Sequence, residues 1–242
     1  SGFDVMCGNP PWDKIKVEDK KWFENHGRSD IVNAGTAAQR KKAIADLPIT
    51  DSILYKEYTD ALAFAEAESR FVRFAGRFPL TATGDIDLYP MFAELCLSFS
   101  KEAWGLVLPT GIAINDSNKA FFSKLIDENR LESLYDFENK EALFDIHRMF
   151  KFCLLTAGRV QTKPHAVSGG FYLTRLDHLL DPNRIYTLQT SDFVRLNPNT
   201  KTCPVFRTSR DAELTAKIYR HSQILLNETT DENPWQVKFG SM

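Results

Sequence analysis

The stretch Phe3-Asp4-Val5-Met6-Cys7-Gly8-Asn9-Pro10-Pro11-Trp12 decides how the rest of the chain is read. Its first six residues are short, mostly apolar and without polar alternation, the pattern of a parallel strand buried on both faces. Pro10 and Pro11 have no backbone N–H and a fixed φ, so the strand stops there and a loop begins. Ligands of open α/β sheets bind just outside the carboxyl ends of strands, which makes residues 9–12 the first candidate site.

The residues that follow set the fold. Residues 13–50 are charged and broken by Asn25, Gly27, Asn33 and Gly35, so a long loop with short helices at most is expected, of a kind usually functional or mobile. Ile53, Leu54, Tyr58, Ala61, Leu62 and Ala65 predict a helix over residues 51–75, and Leu88, Met91, Phe92, Leu95, Cys96 and Phe99 a second apolar stripe. Residues 104–108 read as a buried strand ended by Pro109-Thr110-Gly111, before a helix starting at Asp116 or Ser117 that buries Phe121, Phe122, Leu125 and Ile126. Strands are expected over residues 133–137 and 151–157 and through 170–174. The alternation predicts a doubly wound α/β sheet. Beyond Asp181 the pattern shortens. Asn197-Pro198-Asn199-Thr200 marks a turn before a helix over 209–219 carrying Leu214 and Ile218, which divides the chain into residues 1–196 and 197–242.

Composition bounds the function classes. With 43% hydrophobic residues in 242, the chain can bury a substantial core. A formal net charge of −2 supplies no bulk positive field, so any phosphate contacts must come from local patches. Cys7, Cys96, Cys153 and Cys203 show no paired metal-binding spacing, and no metal site is expected. Buried reduced thiols are the natural reading, hence a cytoplasmic protein, although distant cysteines can pair. No apolar run approaches the roughly 20 residues of a membrane span, and there is no signal segment. The chain opens almost at once on a strand and ends on Phe239-Gly240-Ser241-Met242 without terminal punctuation, which reads as a piece of a longer polypeptide.

The chemistry of residues 9–12 suits one task. An exocyclic amine conjugated into a purine ring is a weak nucleophile because its lone pair is delocalised. Acceptors on its two hydrogens localise that pair, and the Asn9 side-chain oxygen and the Pro10 carbonyl are such acceptors, the latter held by two fixed φ angles. Trp12 offers a flat surface to a base taken out of its stack, an interaction worth about 1–3 kcal/mol. The competing account is a Pro-Pro strand stop beside a buried tryptophan.

Residues 3–12 resemble the catalytic motif of amino-methyltransferases acting on adenine in DNA. Gly84-Asp85-Ile86-Asp87-Leu88-Tyr89, Leu106-Val107-Leu108-Pro109-Thr110-Gly111, Leu134-Tyr135-Asp136-Phe137-Glu138-Asn139 and Phe150-Lys151-Phe152-Cys153-Leu154-Leu155-Thr156 follow in an order similar to the methylases of type IIG restriction-modification proteins. Asn197 to Thr200 with Pro204-Val205-Phe206-Arg207 resembles their connector into a target-recognition domain.

The resemblance implies a partial Rossmann-like methyltransferase fold, the target-base half of the doubly wound sheet. It implies methyl transfer from S-adenosylmethionine to a flipped adenine in double-stranded DNA, in a restriction-modification or phage-defence protein. Asn9, Pro10, Pro11 and Trp12 would then be catalytic, with Trp12 stacking on the base. Phe144 is the best match to the family's second aromatic, which holds the base from its other face, and Phe150 the next. Core packing is the competing account for any one of eighteen phenylalanines. The family's glycine-rich cofactor loop and ribose-binding acid precede the catalytic motif and are not in this sequence. An upstream cofactor-binding segment and a downstream recognition domain are therefore implied partners. The chain alone is expected to bind the cofactor negligibly, and its first strand to form a sheet edge prone to homodimer formation.

The remaining candidates are weaker. Lys14, Lys16, Lys20 and Lys21, and the cluster Arg40, Lys41 and Lys42, are placed to meet phosphates, with Glu18 and Asp19 diluting the first group and a solvated loop as the competing account. His147 lies near Phe144 without an assignable proton-transfer role, and Asn233-Pro234-Trp235 lacks the second proline. Similar Asn-Pro-Pro-aromatic sites act on glutamine in release factors and guanine in ribosomal RNA, and a degenerate fold kept for DNA binding or assembly is a further alternative. The charged insert and connector favour DNA, and the intact motif argues against degeneracy.

Overall fold

Residues 2–228 and 230–238 are described by the computed structural model. In chain order the first elements are β1 (Phe3–Gly8), α1 (Asp19–Asn25), α2 (Ser29–Val32), α3 (Ala37–Thr50), α4 (Ser52–Phe74), α5 (Leu88–Phe99) and β2 (Ser100–Pro109). There follow α6 (Gly111–Ile114), α7 (Lys119–Asp127), β3 (Leu131–Glu138), β4 (Lys151–Gly158), β5 (Ala166–Leu173), β6 (Tyr186–Gln189), α8 (Thr190–Leu196) and α9 (Ser209–His221). The elements fall into two compact units, one holding the residues up to Trp12 with those from Leu88 onward, the other Asp13–Asp87. The expected turn at residues 197–200 lies inside the first of these.

The first unit is an α/β unit on one sheet of order β1-β2-β4-β3-β5-β6. β1 runs parallel to β2 and β3 parallel to β5, while β4 is antiparallel to both β2 and β3, and β6 to β5. The expected α/β architecture holds, and its sheet is mixed. The reason lies in residues 139–150, which contain only a short 3-10 turn. With no helix to cross the sheet, they fold back and return the chain in the opposite direction. The pairing brings Gly8, Pro109, Glu138, Lys151 and Leu173 to one end of the sheet.

α7 buries Phe121, Phe122, Leu125 and Ile126 as predicted, each contributing about 1.5–3 kcal/mol by leaving water. Two other burial expectations, for β1 and α5, are corrected. β1 is a strand at the sheet edge, but it is not buried: Phe3 is 63% and Val5 65% exposed, because the strand pairs with β2 alone and no described layer covers it. α5 turns Tyr89, Met91, Ala93, Cys96 and Leu97 inward and leaves Phe92 and Phe99 exposed. α9 packs through Ala212 and Ala216, whose small side chains permit close approach, and exposes Leu214 and Ile218.

In the second unit the expected long loop is corrected by α3, a fourteen-residue helix. A capping box nucleates it: Gln39 N–H donates to Thr36 Oγ1, and Thr36 N–H to Gln39 Oε1. Its apolar residues are mostly alanines, with Leu47 buried, so no stripe of large side chains marks it for a periodicity reading. Phe23, Ile31, Leu47, Leu54 and Tyr58 form the core here, with Trp22 edge-on to Phe23 at 4.9 Å. Asp51 caps the predicted long helix α4 by accepting from Leu54 N–H.

All four cysteines are free; Cys96, Cys153 and Cys203 are buried as expected, whereas Cys7 is exposed on the edge strand. Among the described residues no helix is long and apolar enough to cross a membrane, and no group of histidines, cysteines and carboxylates is arranged to hold a metal ion.

Candidate active site

β1 delivers Asn9 to the end of the sheet, and the two prolines turn the chain so that Trp12 lies over β2. The Trp12 indole N–H donates to the Val107 carbonyl at 3.4 Å. Its ring stacks on Phe152 at 6.4 Å and 27°, and Phe152 in turn stacks on Phe137 at 5.4 Å. Phe144 stands edge-on to both, 6.1 Å from Trp12 and 4.8 Å from Phe152. Trp12 is therefore half-buried on an aromatic cluster that fixes its plane.

Above this cluster opens a cleft of about 320 Å³ lined by Asn9, Pro10, Pro11, Trp12, Phe144 and Ile146. The volume is at the small end of ligand sites. Asn9 is exposed, and neither its amide nor the Pro10 carbonyl has a hydrogen-bond partner among the described residues. The cleft thus presents two unengaged acceptors beside an oriented indole. Trp12 and Phe144 are inclined at 69°, so the two rings do not both lie flat on one planar guest; Phe144 closes the side of the cleft. Phe150 lies outside its lining and is half exposed.

Asn139, absent from the sequence reading as a site residue, sets this wall. It is fully buried at the end of β3. Its Nδ2 donates to the carbonyls of Phe144 and Ile146, both at 3.0 Å, and its Oδ1 accepts from Phe144 N–H at 3.0 Å. One amide therefore pins the backbone of both loop residues that line the cleft. Asn139 N–H also donates to the Phe150 carbonyl at 3.0 Å, closing the ends of the loop. An asparagine just past a strand reads locally as a turn residue, so only its partners five and seven positions on reveal this role.

On the sheet's other side, Thr110 Oγ1 donates to buried Asp136 at 2.5 Å, joining the ends of β2 and β3. The second Asp136 oxygen accepts Tyr172 N–H at 3.2 Å. Tyr172 sits at φ 60°, a left-handed conformation costly for a tyrosine, where β5 bulges against β3. Lys151 Nζ and Arg207 Cζ lie 4.6 and 4.5 Å from its ring centroid. Burial pushes the Asp136 carboxyl above its ordinary range, against the lowering effect of the Thr110 and Tyr172 bonds.

The structure gathers Asn9, Pro10, Pro11, Trp12 and Phe144 in one cleft. Lys14, Lys16, Arg40, Lys41 and Lys42 belong to the other compact unit. There Lys14 pairs with Asp85 at 3.4 Å and Asp87 at 3.7 Å, and Lys16 with Asp85 at 3.7 Å. Arg40 is half-buried on α3, while Lys41 and Lys42 are exposed with no carboxylate partner among the described residues. His147 Nδ1 accepts Met149 N–H at 3.2 Å and takes no part in the cleft lining. Asn233 folds onto its own turn, accepting Val237 N–H at 2.9 Å.

No family profile and no curated protein matches the chain. Solved structures with partial likeness include the methyltransferase subunit of a type I restriction-modification system from Streptococcus thermophilus, at 13% identity and TM-score 0.40 over 58% of this chain and 35% of that one. The type IIG restriction endonuclease BpuSI is similar at 14% identity and TM-score 0.39, over 63% of this chain and 19% of its own. A DrdV–DNA complex is similar at 9% identity and TM-score 0.35, over 91% of this chain and 16% of its own. The chain spans about a third or less of the length of each of these proteins.

Proposed function

We propose that this chain is the target-base half of a DNA adenine methyltransferase, and that the cleft of Asn9, Pro10, Trp12 and Phe144 receives an adenine extruded from the duplex. The observation that carries the reading is the pair of unengaged acceptors, the Asn9 amide oxygen and the Pro10 carbonyl, beside an indole held in plane. Trp12 supplies the stacking surface that the base loses on leaving the helix. Asn9 and Pro10 accept the two amine hydrogens and localise the nitrogen lone pair as the new bond forms, an interaction stronger in the transition state than in the ground state. The prolines and the Asn139-pinned loop preset the geometry, so little reorganisation is needed during reaction.

S-adenosylmethionine would supply the methyl group. The cleft residues fit a flat base and do not fit that cofactor: the lining has no carboxylate for a ribose and no helix N-terminus for a carboxylate group. The donor would be held by residues outside the cleft. Duplex DNA is the proposed partner, with Lys41 and Lys42 as the candidate phosphate contacts least compensated by nearby acids. The test is to incubate the intact protein with duplex DNA and methyl-labelled S-adenosylmethionine and to digest the product to nucleosides. Label in N6-methyladenine supports the reading. Label confined to another base, to RNA or to protein contradicts it.

A further inference from the structure

The loop that walls the cleft has a second, outward side. Met149 is 83% exposed and Phe150 50%, with Leu143 and Ile146 partly exposed on the same loop. Single exposed apolar side chains need no explanation, but this twelve-residue loop carries four of them, with Met149 and Phe150 adjacent. Nor is the loop a loose segment. Met149 N–H donates to His147 Nδ1 at 3.2 Å, Phe150 N–H to the His147 carbonyl at 2.9 Å, and the Phe150 carbonyl accepts Asn139 N–H at 3.0 Å. The turn is closed on both sides of Met149, so a bare apolar side chain is presented to solvent by fixed backbone.

The inner and outer sides of the loop are joined by a short reach. Ile146 lines the cleft, and Met149 is three residues on, at most about 10 Å of chain. Any duplex whose base occupies the cleft must come close to the loop. A base that leaves its stack leaves an apolar gap, and apolar wedges such as Met and Phe are the side chains that enter between base steps.

We infer that Met149, with Phe150 beside it, enters the duplex and fills the place vacated by the extruded base. This rests on the reading of the cleft given above. The charges of the loop support an apolar role over a phosphate-binding one. Lys140, Arg148 and Lys151 are offset by Glu138, Glu141 and Asp145, and Arg148 donates to the Lys140 carbonyl at 3.2 Å. The inference therefore predicts that Met149 contributes through stacking and contributes nothing to the salt dependence of binding.

The experiment compares Met149→Ala and Met149→Leu with wild type in the intact protein, on two duplexes. In one the target adenine is normally paired; in the other it stands opposite an abasic site, where extrusion is easier. Met149→Ala should weaken binding to the paired duplex about tenfold and to the abasic duplex about twofold or less, with an unchanged salt slope and melting temperature. Met149→Leu should retain most of the wild-type affinity. Equal loss on both duplexes, no loss on either, or a reduced salt slope overturns the inference. If wild type gives no fluorescence rise with 2-aminopurine at the target position, no base is extruded, and the reading of the cleft fails along with the wedge. A wild-type rise with no selective effect of Met149→Ala overturns the wedge alone.

Discussion

Replacing Asn139 by Ala removes the device that shapes one wall of the cleft. The side chain makes three hydrogen bonds of 3.0 Å, two to carbonyls and one from an amide. Each is worth about 0.5–1.5 kcal/mol net, so the three together hold the loop by about 1.5–4.5 kcal/mol. The loop is exposed on its outer side, so its freed carbonyls can meet water, and the loss should appear as local opening more than as global unfolding. On this account the Phe144 amide, whose acceptor is the Asn139 oxygen, should exchange its hydrogen roughly 10- to 1,600-fold faster in Asn139→Ala. Hydrogen-exchange mass spectrometry on peptides covering residues 139–150 measures this directly. Asn139→Asp keeps the acceptor for Phe144 N–H but sets a carboxylate oxygen against two carbonyls, so it should loosen the loop at least as much. Unchanged protection at Phe144 in a folded Asn139→Ala protein would refute the reasoning and show that packing of Phe144 on Phe152 is sufficient to hold the wall.

Trp12→Phe should keep most of the capture of a 2-aminopurine target, whereas Trp12→Ala should weaken it by about 1–3 kcal/mol; equal behaviour of the two variants, each checked for folding because Trp12 packs on Phe152, would remove Trp12 from the base subsite. The isolated chain should bind S-adenosylmethionine negligibly in titration calorimetry, and low-micromolar binding would mean that the cofactor residues have been misplaced. Asp136 is raised by burial in the folded state, so relative to its unfolded value its contribution is present below about pH 4 and is lost as pH rises through the folded pKa. Asp136→Asn keeps an acceptor for Tyr172 N–H while its amide N–H donates to Thr110 Oγ1 in place of the reverse bond, and denaturant titrations should show wild type losing stability relative to this variant as pH rises from about 4; a difference independent of pH contradicts the assignment.

What could be read from sequence was what is local. Asn-Pro-Pro-Trp after an apolar strand marked its position at the sheet end, and α7 carried a stripe plain enough to name its four buried residues. α3 was equally local, since Thr36 and Gln39 form its capping box, but its apolar residues are mostly alanines and mark no stripe. The exposure of β1 had no sequence signal, because apolar residues state what a strand needs and not what lies over it. The reversal of β4 was concealed in residues 139–150, where the missing helical pattern was itself the sign that the chain would double back. Phe144 entered through resemblance and lines the cleft, yet its edge-on attitude to Trp12 depends on Phe152 and Asn139, which only folding brings near. The pairing of Lys14 and Lys16 with Asp85 and Asp87 is non-local for the same reason.

The central claim is that Asn9 acts on the reacting amine, and Asn9→Ala in the intact protein tests it most directly. Asn9 is exposed and its side chain makes no hydrogen bond to another described residue, so its truncation should leave the fold intact. Single-turnover methylation of duplex adenine should fall by about 10²-fold or more, the scale of losing one group aimed at the transition state. Affinity for the same DNA should change by no more than about threefold, because the group acts mainly after the base is bound. Methylation by Asn9→Ala at the wild-type rate would contradict the account.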